Sequence, residues 1–167
     1  MHLESLGVRM ERHCANALKV AQWLSADPRV SWVSFPGLET DKYHALAEKY
    51  MPNGTCGVIS FGVPGGREKV SAFLDHLKMV SIATHVADAR SCTLYPAGTT
   101  HRQLTEEQLE EAGVGIDLVR LSCGIENADD IIVPKFEQNS SGGGSEELAQ
   151  QKTGYFTEVE IKEDKSQ

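Results

Sequence analysis

The sequence predicts an α+β fold, a two-layer sandwich in which helices cover a small, mostly antiparallel sheet. Three observations support this prediction. Segments with apolar residues at helical spacing alternate with short, apolar or alternating segments that are typical of strands. The connections between them are short and contain Pro and Gly. A chain of 167 residues, 40% of them hydrophobic, can also bury one core of ordinary size.

The first half of the chain is predicted to form two helices and two strands. The stretch RMERHCANALKVAQWLSADPRV places Cys14, Leu18 and Ala21 at helical spacing, with Ala17 and Leu24 as further candidates for the same face. Asp27 and Pro28 end that helix. VSWVSFPG is predicted to be a short strand. DKYHALAEKYM is predicted to be a second helix that ends at a Pro-Asn-Gly turn, and TCGVISFGV an apolar strand.

The second half is predicted to begin with a helix in REKVSAFLDHL and a strand in MVSIATHV. ADARSCTLYPAGTTHRQL is expected to be irregular. A short acidic helix follows, in which Thr105 and Gln108 match a capping box. LVRLSCGI is predicted to be the last core strand. NADDIIVPKF should open a helix capped by Asn127, with Asp129 and Asp130 in the first turn, where negative charge is favourable.

The chain is predicted to divide into a folded unit, residues 1–134, and a tail. Beyond residue 134 the stretch NSSGGGSEELAQQK is rich in Gly and Ser, and residues 135–167 contain 4 Lys and 7 Asp or Glu. This composition is typical of a linker followed by a disordered acidic tail. The YFTEVEI stretch leaves open that part of the tail forms a strand against a partner.

Charge and cysteine content argue against several function classes. The formal net charge is −8 and the Lys and Arg residues are scattered, so we expect no nucleic acid partner. No run approaches the ~18 apolar residues of a membrane span, and the first residues lack a signal-peptide pattern. We therefore expect a cytoplasmic chain with no membrane partner. The four cysteines stand far apart without a CxxC pair, so we expect reduced thiols rather than a zinc site or a redox pair.

The stretch DLVRLSCGIE carries an arginine in the middle of a predicted strand. Alternation puts Val119 and Leu121 on one face and Arg120 on the other. A guanidinium stays protonated and presents a planar fork of donors, so a partly buried site needs a carboxylate or phosphate opposite it. Two sources of that anion remain open, a protein acid such as Glu126 or Asp117, or a ligand.

Four stretches carry a dense, collinear resemblance to one enzyme family: ALKVAQWLSADPRVSWVSFPGL, YHALAEKYMPNGTCGVISFG, HVADARSCTLYPAGTTHRQLT and VRLSCGIEN. From about Leu3 to Ile132 the chain resembles the C-terminal domain of the Cys/Met-metabolism enzymes that depend on pyridoxal phosphate. It is most similar to the O-acetylhomoserine sulfhydrylases, also called homocysteine synthases. The resemblance implies the α+β C-terminal domain of fold-type I pyridoxal-phosphate enzymes, which agrees with the pattern of elements.

The resemblance also implies roles for two substrate-binding residues. In that family the arginine of the R-[LI]-S-x-G-[IL]-E strand binds the α-carboxylate of the amino-acid substrate, and Arg120 is the matching residue here. His85 falls where members often carry Ser or Asn, at a turn that faces the cofactor lysine and the substrate carboxylate. Its imidazole is a candidate hydrogen-bond donor, although a lone histidine at a strand end can equally be structural. No catalytic or metal-binding residue is expected in this chain.

Catalysis in the family depends on groups that this sequence does not show. The family attaches pyridoxal phosphate to a lysine in an S-x-T-K setting, with an aspartate on the ring nitrogen and phosphate-holding residues, all in a larger N-terminal domain. No lysine of this chain stands in that setting. We therefore expect pyridoxal phosphate to serve the full-length family while this chain anchors none covalently and is inactive alone.

The resulting interpretation is the C-terminal domain or a fragment of an O-acetylhomoserine sulfhydrylase-like enzyme of transsulfuration and methionine biosynthesis. Such an enzyme makes homocysteine or methionine from O-acetylhomoserine and sulfide or a thiol by γ-replacement. The expected partners are the amino-acid substrate and either a missing N-terminal domain or further copies in a homo-oligomer. Two alternatives remain open: a non-catalytic amino-acid-binding or regulatory module, and a relative of cystathionine γ-synthase or γ-lyase.

Overall fold

The computed structural model describes residues 3–132 of the chain. Within that range, helices and strands alternate along most of the sequence. The helices are α1 (Leu6–Ala26), α2 (His44–Tyr50), α3 (Gly66–Asp75), α4 (Glu106–Glu111) and α5 (Ala128–Ile132). The strands are β1 (Val33–Ser34), β2 (Val58–Gly62), β3 (Ser81–Ile82), β4 (Cys92–Leu94) and β5 (Leu118–Ser122). Short 3₁₀ turns occupy Leu3–Ser5 and Pro96–Gly98.

The strands form one sheet in the order β1-β2-β5-β4-β3. All neighbouring pairs are antiparallel except β3 and β4, which are parallel. Side chains from β2 and β5 form a core with those of α1, α3 and α5. In this core the rings of Phe61 and Phe73 meet edge to face, with their centroids 6.1 Å apart. The predicted two-layer α+β sandwich with a mostly antiparallel sheet is confirmed.

The buried face of α1 differs from the predicted one. Leu18 is 37% exposed and Cys14 is only half-buried, whereas His13 and Asn16 are 1% and 2% exposed. Ala17, Ala21 and Leu24 are buried as expected. A buried polar side chain is tolerated when it forms hydrogen bonds, and both polar residues form them with the chain that follows β5. The prediction assigned the face by hydrophobicity alone and was wrong for Cys14 and Leu18.

The segment predicted to be irregular, ADARSCTLYPAGTTHRQL, contains strand β4. All three residues of β4 are buried, and the strand pairs with both β5 and β3. A three-residue strand is too short to show a period, and burial on both faces removes the alternation of polar and apolar residues. The prediction was therefore wrong for these residues. The strand expected in MVSIATHV exists, but only two of its residues pair in the sheet.

The predicted helix caps are confirmed. The Thr105 hydroxyl accepts a hydrogen bond from the Gln108 N–H at 3.3 Å, and the Gln108 side-chain oxygen accepts one from the Thr105 N–H at 3.0 Å. This reciprocal pair is the capping box of α4. At α5, the side-chain oxygen of Asn127 accepts a hydrogen bond from the N–H of Asp129 at 3.1 Å. Both caps satisfy backbone donors that the first helical turn leaves unpaired.

All four cysteines have free thiols, two of them buried and two half-buried. Burial raises the pKa of the Cys123 thiol to about 12. Within residues 3–132, no group of three or more His, Cys, Asp or Glu side chains is placed to hold a metal ion. No helix in the same range combines the length and the apolar character needed to cross a membrane. The boundary predicted at residue 134 and the tail 135–167 lie outside the described residues.

Candidate functional site

Arg120 lies in the middle of the central strand β5, paired with Ser60 of β2 and Leu94 of β4. Its strand neighbours Val119 and Leu121 are 0% and 8% exposed and belong to the core. Because successive side chains of a strand point to opposite faces, the Arg120 side chain lies on the face away from that core. It is half-buried there. This is the face that the sequence predicted.

The guanidinium of Arg120 is held by backbone carbonyls. Its Nη2 donates to the carbonyl oxygen of Thr84 at 2.9 Å and to that of His85 at 3.4 Å. Its Nε is buried and has no hydrogen-bond partner among residues 3–132. In that part of the chain no carboxylate forms an ion pair with Arg120. Among residues 3–132, no carboxylate thus compensates the positive charge of the guanidinium, and Nε is a donor without an acceptor.

The two acids that the sequence allowed as partners of Arg120 bind other groups. Glu126 accepts hydrogen bonds from the Ser91 N–H at 2.6 Å and from the Ser91 hydroxyl at 3.1 Å. Asp117 accepts a hydrogen bond from the indole N–H of Trp32 at 2.9 Å. Neither of these two acids forms an ion pair with the guanidinium.

The loop that supplies both carbonyls, residues 83–89, is held to the sheet by hydrogen bonds. The N–H of Ala83 donates to a backbone carbonyl of β4 at 2.9 Å, and the N–H of Ala87 donates to the hydroxyl of Ser122 at 3.2 Å. Ser122 is two residues from Arg120 and shares its face of the sheet. The 83–89 loop therefore covers part of the face from which the guanidinium projects.

The side chain of His85 is exposed on the 83–89 loop, while its backbone carbonyl contacts Arg120. Asp88 lies in the same loop. The N–H of Arg90, which donates to the Asp88 carboxylate at 3.1 Å, lowers the pKa of that carboxyl, and the positive charges of His85 and Arg90 add to this effect. The structure thus brings His85 next to Arg120, and the role of its imidazole as a donor to substrate stays a prediction.

Two further side chains beside Arg120 were not singled out from the sequence. The thiol of Cys92 donates to the His85 carbonyl at 3.0 Å, and burial raises its pKa, so it stays protonated and able to donate. The hydroxyl of Ser122 holds the Ala87 N–H. Strand alternation in β5 could have indicated that Ser122 lies on the same face as Arg120. Nothing in the sequence pattern indicated the position of Cys92, because its strand was not predicted.

Buried polar residues of α1 hold the chain that leaves β5. His13 Nδ1 donates to the carbonyl of Cys123 at 2.7 Å. The side-chain amide of Asn16 donates to the carbonyls of Gly124 at 2.9 Å and Glu126 at 2.7 Å. These bonds satisfy carbonyls that lie beyond the strand ladder, and they fix the direction in which the chain leaves the strand.

Two concave features of the described residues do not include Arg120. An apolar cavity of about 30 Å³ lies within the core. A larger groove of about 500 Å³ lies between α1 and α2. Its lining includes Cys14, Phe35, His44, Glu48 and Met51. Neither lining contains the 83–89 loop, so both features are separate from the surroundings of Arg120.

Comparison with known proteins matches this chain to one family. The family model described as Cys/Met metabolism PLP-dependent enzyme matches residues 2–137. An O-acetyl-L-homoserine sulfhydrylase of Leptospira meyeri is 48% identical over 132 residues, which are 78% of this chain and 30% of that protein. A homocysteine synthase of Schizosaccharomyces pombe is 48% identical over 130 residues, with the same shares. The chain thus spans about 30% of the length of the relatives that it matches.

Two solved structures resemble the described fold. One, named as an O-acetylhomoserine (thiol)-lyase of Campylobacter jejuni, contains N'-pyridoxyl-lysine-5'-monophosphate. It has a TM-score of 0.72 and 39% identity, and the match covers 77% of this chain and 31% of that one. The other, a cystathionine gamma synthase of Xanthomonas oryzae in complex with aminoacrylate and cysteine, has a TM-score of 0.71 and 37% identity. That match covers 77% of this chain and 33% of the other.

Proposed function

Because this chain belongs to the Cys/Met-metabolism family of pyridoxal-phosphate-dependent enzymes, we propose that it forms the substrate-binding part of an O-acetylhomoserine sulfhydrylase-like enzyme. In this proposal Arg120 binds the α-carboxylate of the amino-acid substrate. The observation that carries it is a half-buried guanidinium with a buried Nε that has no partner within residues 3–132.

The hydrogen bonds of Arg120 favour a carboxylate as its ligand. An unpaired buried donor costs about 1–3 kcal/mol, so a ligand that accepts from Nε relieves a penalty as well as adding a bond. A carboxylate has two oxygens in one plane and matches two parallel N–H donors of a guanidinium. Because β5 is the central strand and Arg120 sits at its middle, the cation has a rigid mounting that fixes the orientation of the bound substrate.

The identity of the relatives supports O-acetylhomoserine as the substrate. The proteins at 48% identity are named O-acetyl-L-homoserine sulfhydrylase and homocysteine synthase. The proposed reaction is γ-replacement, in which acetate leaves the γ-carbon and sulfide or a thiol takes its place. Pyridoxal phosphate supplies the electron sink for this chemistry when it is bound. The part assigned to this chain is to bind and orient the substrate.

The lysines of the described residues do not fit the covalent attachment of pyridoxal phosphate. A lysine that forms a Schiff base must lose its proton, which burial in an apolar pocket favours. All lysines in residues 3–132 are instead exposed or half-buried: Lys19, Lys42, Lys49, Lys69 and Lys78. We therefore propose that a missing N-terminal part, or another subunit, holds the cofactor, and we assign no catalytic step to this chain.

A cystathionine γ-synthase-like activity is a second candidate, because the Xanthomonas structure matches this chain with nearly the same TM-score as the Campylobacter structure. The two candidates differ in the sulfur nucleophile, which is sulfide or a thiol in one and cysteine in the other. Product analysis with each nucleophile in turn distinguishes them.

Activity measurements with and without the missing part test the proposal. The corresponding N-terminal part of the Leptospira relative is fused ahead of this chain, and homocysteine formation from O-acetylhomoserine and sulfide is measured. We expect turnover by the fusion and none by the chain alone with added pyridoxal phosphate. Borohydride reduction of that mixture should fix no stoichiometric adduct to a single lysine. Turnover by the chain alone, or a stoichiometric adduct, would contradict the proposal.

A further inference from the structure

Two hydrogen bonds from neighbouring strands hold the 83–89 loop, whose His85 carbonyl contacts the guanidinium of Arg120. The N–H of Ala87 donates to the Ser122 hydroxyl at 3.2 Å. Ser122 of β5 is paired with Cys92 of β4 in the sheet. The Cys92 thiol donates to the His85 carbonyl at 3.0 Å, and the same carbonyl accepts from Arg120 Nη2. Two positions of the loop, His85 and Ala87, are thus held by two neighbouring side chains of the sheet.

The two side chains that form these hydrogen bonds with the loop are rigidly placed. Cys92 and Ser122 are 4% and 2% exposed and face each other across β4 and β5. Both point to the sheet face that carries Arg120, because each is an even number of positions from the Arg120–Leu94 pair. Strands hold their side chains more precisely than loops do. The orientation of the His85 carbonyl is therefore set by the sheet.

The loop itself is poorly suited to hold the carbonyls without help. Thr84, His85, Val86 and Ala87 are all exposed. Ala87 has φ 55°, in the left-handed region that an L-residue other than glycine rarely adopts. Such a conformation persists only where the surroundings impose it. The Ser122 hydroxyl accepts the N–H of this same residue and is one of the contacts that hold the loop in place.

We infer that Cys92 and Ser122 are positioning residues for Arg120. Cys92 holds the His85 carbonyl that accepts from Nη2, and Ser122 holds Ala87 in the same loop, so the guanidinium plane is fixed while other donors, Nε among them, keep their hydrogen-bonding capacity. The use of those donors for a substrate carboxylate rests on the proposed function. The orientation of the guanidinium does not, and it can be measured without substrate.

The experiment is NMR of the full 167-residue chain with ¹⁵N-labelled arginine. Signals of Arg120 are assigned by their loss in Arg120→Lys. A guanidinium held by hydrogen bonds rotates slowly about its Nε–Cζ bond and gives separate Nη signals, whereas a free one gives a single averaged signal. We expect separate Nη signals for Arg120 in the natural chain, and their merging in Ser122→Ala and in Cys92→Ala.

Two further variants separate positioning from a general loss of packing. Cys92→Ser keeps a donor to the His85 carbonyl and should restore the separate Nη signals that Cys92→Ala loses. Cys56→Ala is the matched control, because its thiol donates to Val58 instead, and it should leave the Arg120 signals unchanged. If Ser122→Ala does not fold, the comparison at Cys92 still decides. Averaged signals in the natural chain, separate signals in Cys92→Ala, or no difference between Cys92→Ser and Cys92→Ala would each overturn the inference.

Titration with acetate separates this inference from the proposed function. Acetate is a minimal carboxylate, and binding should shift the Arg120 Nε signal in the natural chain and less in Cys92→Ala. Separate Nη signals combined with an Nε signal that acetate does not move would support the positioning of Arg120 and count against the carboxylate site.

Discussion

Replacement of Arg120 tests whether its anion comes from a ligand or from the protein. In the structure the guanidinium makes one hydrogen bond of good length, to the Thr84 carbonyl at 2.9 Å, and one long contact, to the His85 carbonyl at 3.4 Å. Thr84 and His85 are exposed, so water can bind their carbonyls after the replacement. We expect Arg120→Ala to lower the free energy of unfolding by only about 1 kcal/mol, the net value of one such bond.

The same replacement should have a large effect on substrate use. A charge-assisted hydrogen bond contributes about 1.5–3 kcal/mol, so kcat/KM of the fusion enzyme should fall on the order of tenfold to a hundredfold or more. Arg120→Lys keeps the charge and loses the planar fork, so it should also impair kcat/KM. Misorientation of the substrate can deepen both losses.

The assay pairs urea unfolding, followed by tryptophan fluorescence, with steady-state kinetics of the same variants. Arg102→Ala is the matched control, because Arg102 is exposed and lies outside the site. If a protein acid neutralised Arg120, its removal would leave that acid unpaired and cost roughly 3–5 kcal/mol. A destabilisation of that size with an unaltered kcat/KM would refute the carboxylate-binding role.

Three other predictions follow from the structure. Ala87→Gly should raise the free energy of unfolding by roughly 0.5–1 kcal/mol, because glycine adopts a positive φ without strain; a lower urea midpoint would contradict this. Gly124→Ala should destabilise by at least about 1–3 kcal/mol, because its methyl group would overlap the Ala89 carbonyl oxygen; unchanged thermal unfolding would exclude that crowding. Cys123 has a folded pKa of about 12 against an ordinary 9.0, so only the unfolded chain ionises it between those values. The free energy of unfolding should therefore fall as pH rises from 9 towards 12, and less so in Cys123→Ala; equal slopes would contradict the assignment.

The sequence predicted best where the local pattern and the tertiary contacts agree. The alternation around Arg120 gave the correct face, because β5 has one face in the core and the other open to the 83–89 loop. The capping box at Thr105 and Gln108 was predictable because both of its hydrogen bonds are local.

The errors have one physical cause, which is bonding between distant parts of the chain. His13 and Asn16 are buried because carbonyls more than 100 residues away accept their hydrogen bonds. No local pattern shows such partners. Strand β4 was missed for a related reason, since its neighbours β5 and β3 define it and its own three residues carry no period. The place of Cys92 beside the 83–89 loop was not predicted either, because it depends on that strand.

The central place of β5 also has a consequence for how the chain folds. Strands β2 and β4 pair with β5 and not with each other. Because β5 is the last strand of residues 3–132, the two halves of the sheet cannot join until β5 has been synthesised. The contacts of α1 with residues 123–126 likewise join segments separated by 108–114 positions. Contacts of such high sequence separation slow folding, because a long loop must close before they form. During synthesis the apolar faces of β2 and α1 therefore stay exposed until nearly all of residues 3–132 have been made. In that interval the nascent chain can aggregate or bind chaperones.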